Sequence, residues 1–474
     1  MLFNSFDFGF FLVIVYAAYW LIGVRRKNLQ NVLLLIASYT FYGLWDWRFL
    51  GLLIASSLID FYAAKAIHSA KQKKTQRIFL FGSVFWNLGI LMAFKYFDFF
   101  IDSFESLFNV ESVGFSTLNI IIPVGLSFYT FQTMSYTIDV YRGKTRPTAS
   151  LLNFLGFVSF FPQLVAGPIE RASKLLPQFE TERKFNLQQA KEGLRQILWG
   201  LFKKVLVADK LGVAVTVVFS EPEAYGTLML CYAAVLFSFQ MYCDFSGYTD
   251  IAIGTAKLFG FNLSQNFKLP YFAKSITNFW QRWHITLTKW FTDYVYVPFV
   301  RSFKTIKTRQ RVVGLLLTML LVGLWHGANW TFIVFGLFNG LVLIIERIPF
   351  FKNKQTLAKK MLSAPRVLAL IYFFTITSIS SVFFRSDSIS EAFLILKRIF
   401  SFTPDTHIGP LIGTKIFYLA VLLIAEILTR RRDFPLQKLE LTTPKPIRWV
   451  LYYTLIFFII RYAEPREAFL YFQF

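Results

Sequence analysis

Charge is scarce in this chain. Of its 474 residues only 16% are Asp, Glu, Lys or Arg, where a soluble domain carries about a quarter. An ordinary soluble globular protein is thereby excluded. Cysteine is nearly absent, with two copies. Cys231 and Cys243 share one apolar stretch and lack metal-ligand spacing, so neither a disulfide framework nor a zinc site is expected. Both are read as small core residues rather than carriers of an acyl group. No Walker A pattern exists and no Gly-x-Gly-x-x-Gly follows a strand, which excludes ATP hydrolysis on this chain. Residues Met1 to Phe10 carry Asp7 and no basic cluster. They do not form a cleavable signal, and the first span is expected to stay as an anchor.

What is abundant is apolar surface. Hydrophobic residues make up 55% of the chain, and 58 residues are Phe. In lipid the backbone must satisfy its own hydrogen bonds, which leaves helices or a closed barrel. The apolar runs are continuous rather than alternating, which excludes the barrel. The fold class is therefore an all-α polytopic membrane protein, read as one domain over residues 1–474. The net charge is +23. Lys and Arg cluster between apolar runs, as topology signals do, so no nucleic-acid partner is expected. An anionic cofactor or membrane lipid at the cytoplasmic face suits them better.

The basic clusters orient the runs. Phe8 to Val24 ends at Arg25-Arg26-Lys27, and the next cluster runs from Lys71 to Arg77. Val32 to Ile67 is then a hairpin turning near Trp45-Asp46. Ile78 to Phe100 leads to a loop with Asp102, Glu105 and Glu111, and Ile120 to Tyr141 returns to Arg142, Lys144 and Arg146. Phe154 to Val165 is too short to span and suggests a buried or re-entrant piece. Arg171 to Arg195 is expected as a cytoplasmic surface helix. Gln196 to Phe219 exits and Tyr225 to Tyr242 returns. Val312 to Ile345 lies between Arg311 and Arg347, so it enters and comes back with its turn near His326-Gly327. Fourteen residue steps from Val312 reach His326, roughly 21 Å of helix. The hydrocarbon core is about 30 Å thick, which puts His326 deep in the bilayer. Spans from Val367 to Phe384, Ile416 to Leu428 and Trp449 to Ile460 follow. The total is about 11 to 13 membrane segments, several of them partial.

Chemistry is expected at two of the four histidines. An imidazole trades a proton near neutral pH, and at bilayer depth an ionisable group is a functional candidate. His284 lies in Asn278-Phe-Trp-Gln-Arg-Trp-His284-Ile-Thr. On a continuous helix Thr277, Gln281, His284 and Thr288 form a polar stripe, with Asn278 and Arg282 adding polar groups beside it. Such a face lines a cavity, or else lies at the headgroup level. His326 lies in Leu324-Trp-His-Gly-Ala-Asn329, with Trp325 and Asn329 beside it. Gly323, three residues earlier, is read as leaving room for a substrate. The alternative for His326 is a core histidine bonded to a carbonyl. Gln240 to Asp250 interrupts an apolar run with Asp244 and Asp250, which suggests a discontinuous helix. These carboxylates would orient a histidine or a sugar hydroxyl, or simply cap helix ends. Pro123 and Gly125 are read as loosening another helix, and His68 and His407 as solvated.

These stretches, with Pro123-Val-Gly-Leu-Ser-Phe-Tyr-Thr-Phe-Gln132, Phe161-Pro-Gln-Leu-Val-Ala-Gly-Pro-Ile-Glu170 and Asp244-Phe-Ser-Gly-Tyr-Thr-Asp250, resemble the membrane-bound O-acyltransferase family. The match in order and spacing covers roughly residues 1–350. The ending Tyr471-Phe-Gln-Phe474 looks like the alginate-acetylating branch. The resemblance implies a ring of helices around a central tunnel, with core motifs over about 120–345 and further spans over 365–474. It implies acyl transfer to a hydroxyl, with catalytic His326 and a second active-site residue, His284. Asn278, Gln281, Arg282, Asp244, Asp250, Trp325 and Asn329 are the supporting or substrate-binding candidates. The donor would be acetyl-CoA, no metal would be needed, and the acceptor would be a polysaccharide. An extracytoplasmic SGNH-type acetyltransferase is the implied partner, and the bacterial cytoplasmic membrane the implied location. Two alternatives remain open: D-alanyl transfer to teichoic acid within the same family, and a transporter with a polar path. A transporter predicts repeat symmetry between halves, and none is visible in the sequence.

Overall fold

Helix after helix makes up the structure, a computed structural model that describes residues 1, 3–108, 122–347, 356–405, 413–463 and 469–470. No strand occurs among the described residues. Glu111, His407 and Tyr471 to Phe474 lie outside them. Among the described residues six helices are long and apolar enough to cross a membrane, and a bent pair near the N-terminus makes a seventh. The chain is thus an all-α polytopic membrane protein. The other segments counted in the sequence are shorter or broken. Contacts group the chain into two units, one of residues 1–197 with 251–264 and one of 198–250 with 265–474.

In the first unit, Ser5 accepts a hydrogen bond from the Phe8 N–H and starts helix Phe6–Leu21. Gly23, at φ +82°, supplies the turn at which this helix and the next bend by 104°; a left-handed backbone there suits glycine. The expected hairpin is present as Lys27–Asp46 and Arg48–Ser69, meeting at Trp47. A 36-residue helix, Lys73–Phe108, follows. Helix Leu126–Tyr141 is buried along most of its length. Pro123 and Gly125 precede this helix instead of loosening it. Gly125 takes φ +76°, and a Cβ there would lie 2.6 Å from the Leu164 carbonyl oxygen. Between these helices Asp60 accepts hydrogen bonds from Ser83, from Asn87 Nδ2 at 2.8 Å and from Thr137 Oγ1 at 3.0 Å. A carboxylate taken out of water needs such donors.

The apolar stretch after residue 150 forms two short buried helices, Leu151–Ser159 and Phe161–Leu164. The charged stretch expected as one surface helix is two, Ala172–Glu180 and Leu187–Leu201. The break follows from Arg183, which turns inward. Its guanidinium donates to the Tyr19 hydroxyl, to Asn31 Oδ1 at 2.6 Å and to the Gln178 carbonyl at 2.8 Å.

In the second unit, helix Thr227–Leu258 continues without a break through residues 240–250. The carboxylates that suggested an interruption are neutralised by two lysines. These stand on the π-helical turn Phe202–Ala208. Lys203 Nζ lies 2.5 Å from Asp250, and Lys204 Nζ lies 2.7 Å from Asp244 and 2.8 Å from Asp209. Gly247 lets the segments close, since a Cβ there would stand 2.8 Å from the Gly200 carbonyl. The expected hairpin of residues 312–345 is present as Thr308–His326 and Trp330–Arg347. Helices Arg366–Arg385, Thr414–Leu428 and Lys445–Arg461 complete the unit's longer elements.

Candidate active site

His326 is the last residue of its helix. The chain turns through Gly327, and Asn329 starts the return helix by accepting the Thr331 N–H at 2.9 Å. Asn329 Nδ2 donates to the Asp387 carbonyl at 2.9 Å, so its amide is committed to building the turn. Gly323 does not leave room for a substrate. The Phe332 carbonyl occupies that space, 2.2 Å from where a Cβ would be. Small residues here let two backbones approach closely, as they do between helices in membranes.

The His326 side chain is 5% exposed and faces a recess within the second unit. Ser238, Asn339, Thr377, Ser380 and Ser381 supply its polar lining, and Tyr271, Trp280, Trp283, Phe335 and Phe384 its aromatic walls. The Phe384 and Phe335 rings are 5.0 and 5.6 Å from the imidazole, centroid to centroid. The hydroxyls are tied together. Ser238 Oγ and Ser381 Oγ are 2.7 Å apart, and Asn339 Nδ2 donates to Ser380 Oγ at 2.7 Å. Tyr271 donates to the Ser238 carbonyl at 2.6 Å. A proton acceptor, a row of hydroxyls and walls that keep out bulk water can position an alcohol and a small carbonyl together.

His284 occupies a different setting. The single helix with a polar stripe is replaced by two short helices, Ile276–Trp280 and Ile285–Phe291. His284 stands between them at φ +40° and is fully buried. Asn266 causes the break. Its carbonyl accepts the Ile285 N–H at 2.9 Å. Its Oδ1 accepts the Thr286 N–H at 3.2 Å and the Thr286 hydroxyl at 2.9 Å. Two donors identify that atom as the oxygen, so His284 Nδ1, 3.1 Å away, carries a proton and donates to it. The Leu287 N–H also points at Nδ1, from 3.4 Å, the longer of that nitrogen's two contacts. Nε2 of His284 therefore holds the lone pair. Trp325 lies between the two histidines, its ring centroid 5.6 Å from His284 and 5.0 Å from His326.

The polar neighbours of His284 bond to one another. Arg282 Nε donates to Asn278 Oδ1 at 3.1 Å, and Asn278 Nδ2 to Gln281 Oε1 at 3.3 Å. Gln281 is exposed. None of the three lines the His326 recess. Asp244 and Asp250 are paired with Lys204 and Lys203, as described above. His68 is exposed in the last turn of helix Arg48–Ser69. Among the described residues no group of three His, Cys, Asp or Glu side chains could hold a metal ion.

Three residues at this site escaped the sequence. Asn266 is one, and nothing in its polar surroundings marked it. Glu346 is another: fully buried, it accepts the Ile276 and Thr277 N–H groups at 2.7 and 2.6 Å and the Tyr372 hydroxyl at 3.0 Å. It ties the start of the Trp280 helix to the helix returning from His326. A lone acid at the end of an apolar run was a usable signal. Trp280 is the third, hidden among the many tryptophans expected at membrane interfaces.

A family model described as the membrane-bound O-acyltransferase family matches residues 144–385. A protein named "Probable alginate O-acetylase AlgI" in Azotobacter vinelandii is 39% identical, over 85% of this chain and 78% of its own length. Its namesake in Pseudomonas aeruginosa is 36% identical, over 94% and 84%. A protein named "Peptidoglycan O-acetyltransferase" in Helicobacter pylori is 34% identical, over 84% and 79%.

Proposed function

This chain belongs to the membrane-bound O-acyltransferase family, and we propose that it carries an acetyl group from cytoplasmic acetyl-CoA to an extracytoplasmic polysaccharide. It is a multi-pass membrane O-acetyltransferase; the donor, the side of entry and the route across the bilayer are the added steps. The observation that carries the proposal is His326 at the head of a hairpin, facing a recess walled by aromatics and lined with hydroxyls. The acceptor hydroxyl gives its proton to the imidazole of His326, and its oxygen bonds to the thioester carbonyl carbon. The carbon–sulfur bond then breaks, and the proton passes to the departing thiolate. The products are an ester and free coenzyme A. A positioned base of this kind contributes about 10²–10⁴-fold.

His284, held by Asn266 with its lone pair on Nε2, acts as the second imidazole of the site. Arg282 and the basic stretch from Arg301 to Arg311 suit the donor's phosphates at the cytoplasmic face. The bacterial inner membrane is the location that fits a cytoplasmic thioester and an outer acceptor. A periplasmic SGNH-type acetyltransferase would complete delivery to the polymer. Alginate, named for two relatives, and peptidoglycan, named for a third, are the first acceptors to try.

The test is acetyl transfer from labelled acetyl-CoA by the purified full-length protein in lipid nanodiscs, with each glycan and with the SGNH partner added. His326→Ala is expected to abolish transfer while the protein remains inserted and folded. Transfer by that variant at the wild-type rate would sink the proposal.

A further inference from the structure

The indole N–H of Trp280 is a buried donor at this site with no hydrogen-bond partner. Trp280 is 6% exposed and lines the same recess as His326. Its Nε1 is shut off from solvent and has no hydrogen-bond partner. Buried N–H groups are almost always paired, and each exception calls for an explanation. The neighbouring polar atoms are satisfied elsewhere: the serines bond to one another and to Asn339, and Tyr271 bonds to a carbonyl. The indole is held firmly. The Glu346 carboxylate accepts the first two N–H groups of its short helix, and the ring of Phe279 packs on it at 5.6 Å. A rigid donor on an aromatic-walled recess that also holds the proposed general base suits a charge that appears only during reaction.

We propose that the Trp280 N–H is the oxyanion donor of this acyltransferase. The inference rests on the acyl-transfer function proposed above. When the acceptor oxygen adds to the thioester carbonyl, the carbonyl π electrons move onto its oxygen. That oxygen becomes an anion, and Trp280 Nε1–H donates to it. When the carbon–sulfur bond breaks the electrons return, the carbonyl re-forms, and the indole keeps its proton throughout. The donor is matched to the tetrahedral intermediate more than to the resting thioester, so its effect falls on kcat rather than on KM.

The experiment uses the full-length protein in nanodiscs with acetyl-CoA and the acceptor that wild type uses. Two variants remove the donor: Trp280→Phe, which keeps an aromatic plate, and replacement of Trp280 by benzothienylalanine, which keeps the two-ring shape with sulfur in place of N–H. The expected result for both is a fall in kcat of about 10²–10³-fold, with KM for acetyl-CoA within about twofold and unchanged thermal unfolding. The isostere decides the matter should Trp280→Phe fold poorly. Wild-type kcat in the isostere, or a loss expressed in KM, overturns the proposal. An inactive His326→Ala beside a fully active isostere would remove this inference alone and leave the acyl-transfer function standing.

Discussion

Adding one methyl group at Gly323 should disable the site without touching any of its side chains. The Cβ of Gly323→Ala would stand 2.2 Å from the Phe332 carbonyl oxygen and 3.1 Å from Gly336 Cα. Carbon–oxygen contacts between packed helices settle at about 3.3 Å. The arms of the hairpin must therefore part by about 1 Å, one turn before His326, because backbone atoms cannot rotate away as a side chain can. A misplacement of about 1 Å costs roughly 10²-fold in rate. The comparison lies within the same hairpin. A Cβ at Gly340 would meet Leu316 Cδ2 and Met319 Cβ at 3.2 Å, and its nearest backbone atom, Leu316 Cα, would lie 3.7 Å away. Gly340→Ala should lose less than about fivefold, since flexible side chains give way. Gly43, in the first unit, has nothing within 4 Å of its would-be Cβ, and Gly43→Ala should be silent. Initial rates of labelled acetyl transfer, normalised to inserted protein, would rank the three. A fully active Gly323→Ala would refute the coupling between backbone contact and imidazole position.

Two further substitutions test the supports. Asn266→Ala leaves His284 Nδ1–H and both Thr286 donors buried without their acceptor, at about 1–3 kcal/mol for each buried donor. Both thermal unfolding and kcat should fall, whereas Asn266→Asp, which keeps the acceptor oxygen, should retain most activity; equal behaviour of the two would discount the tautomer assignment. Lys204→Met removes the ammonium that Asp209 and Asp244 share, a loss of about 3–5 kcal/mol. Detergent unfolding should show a large drop, partly restored by adding Asp244→Asn, and an unshifted midpoint would mean the network contributes no stability.

Much of the architecture was legible because hydropathy and charge are summed over long windows. The bend of the first hairpin at Trp47 and the turn after His326 both follow from apolar runs bounded by basic clusters. Local conformation was less legible wherever a partner lay far off in sequence. Asp244 and Asp250 looked like a helix break because Lys203 and Lys204, some 40 positions away, could not be paired with them by inspection. The helical stripe through His284 failed because Asn266, 18 positions earlier, competes for the backbone at residues 285 and 286. Gly323 was taken for open space because sequence records a missing side chain but not the neighbour that fills the gap. Trp280 showed only as one aromatic of an apolar stripe beside His284. An unpaired indole N–H is a property of three-dimensional surroundings.

The backbone at position 284 has a consequence for how this site can vary. At φ +40° the left-handed region tolerates glycine, asparagine, aspartate and histidine far better than branched or bulky residues. Drift here is confined to a short vocabulary, most of it polar and able to take up Asn266 as a neighbour. A valine or isoleucine would be penalised by its own main chain before any question of chemistry arose. The fold itself thus keeps branched apolar side chains away from Trp325, whichever acyl group or acceptor selection later favours.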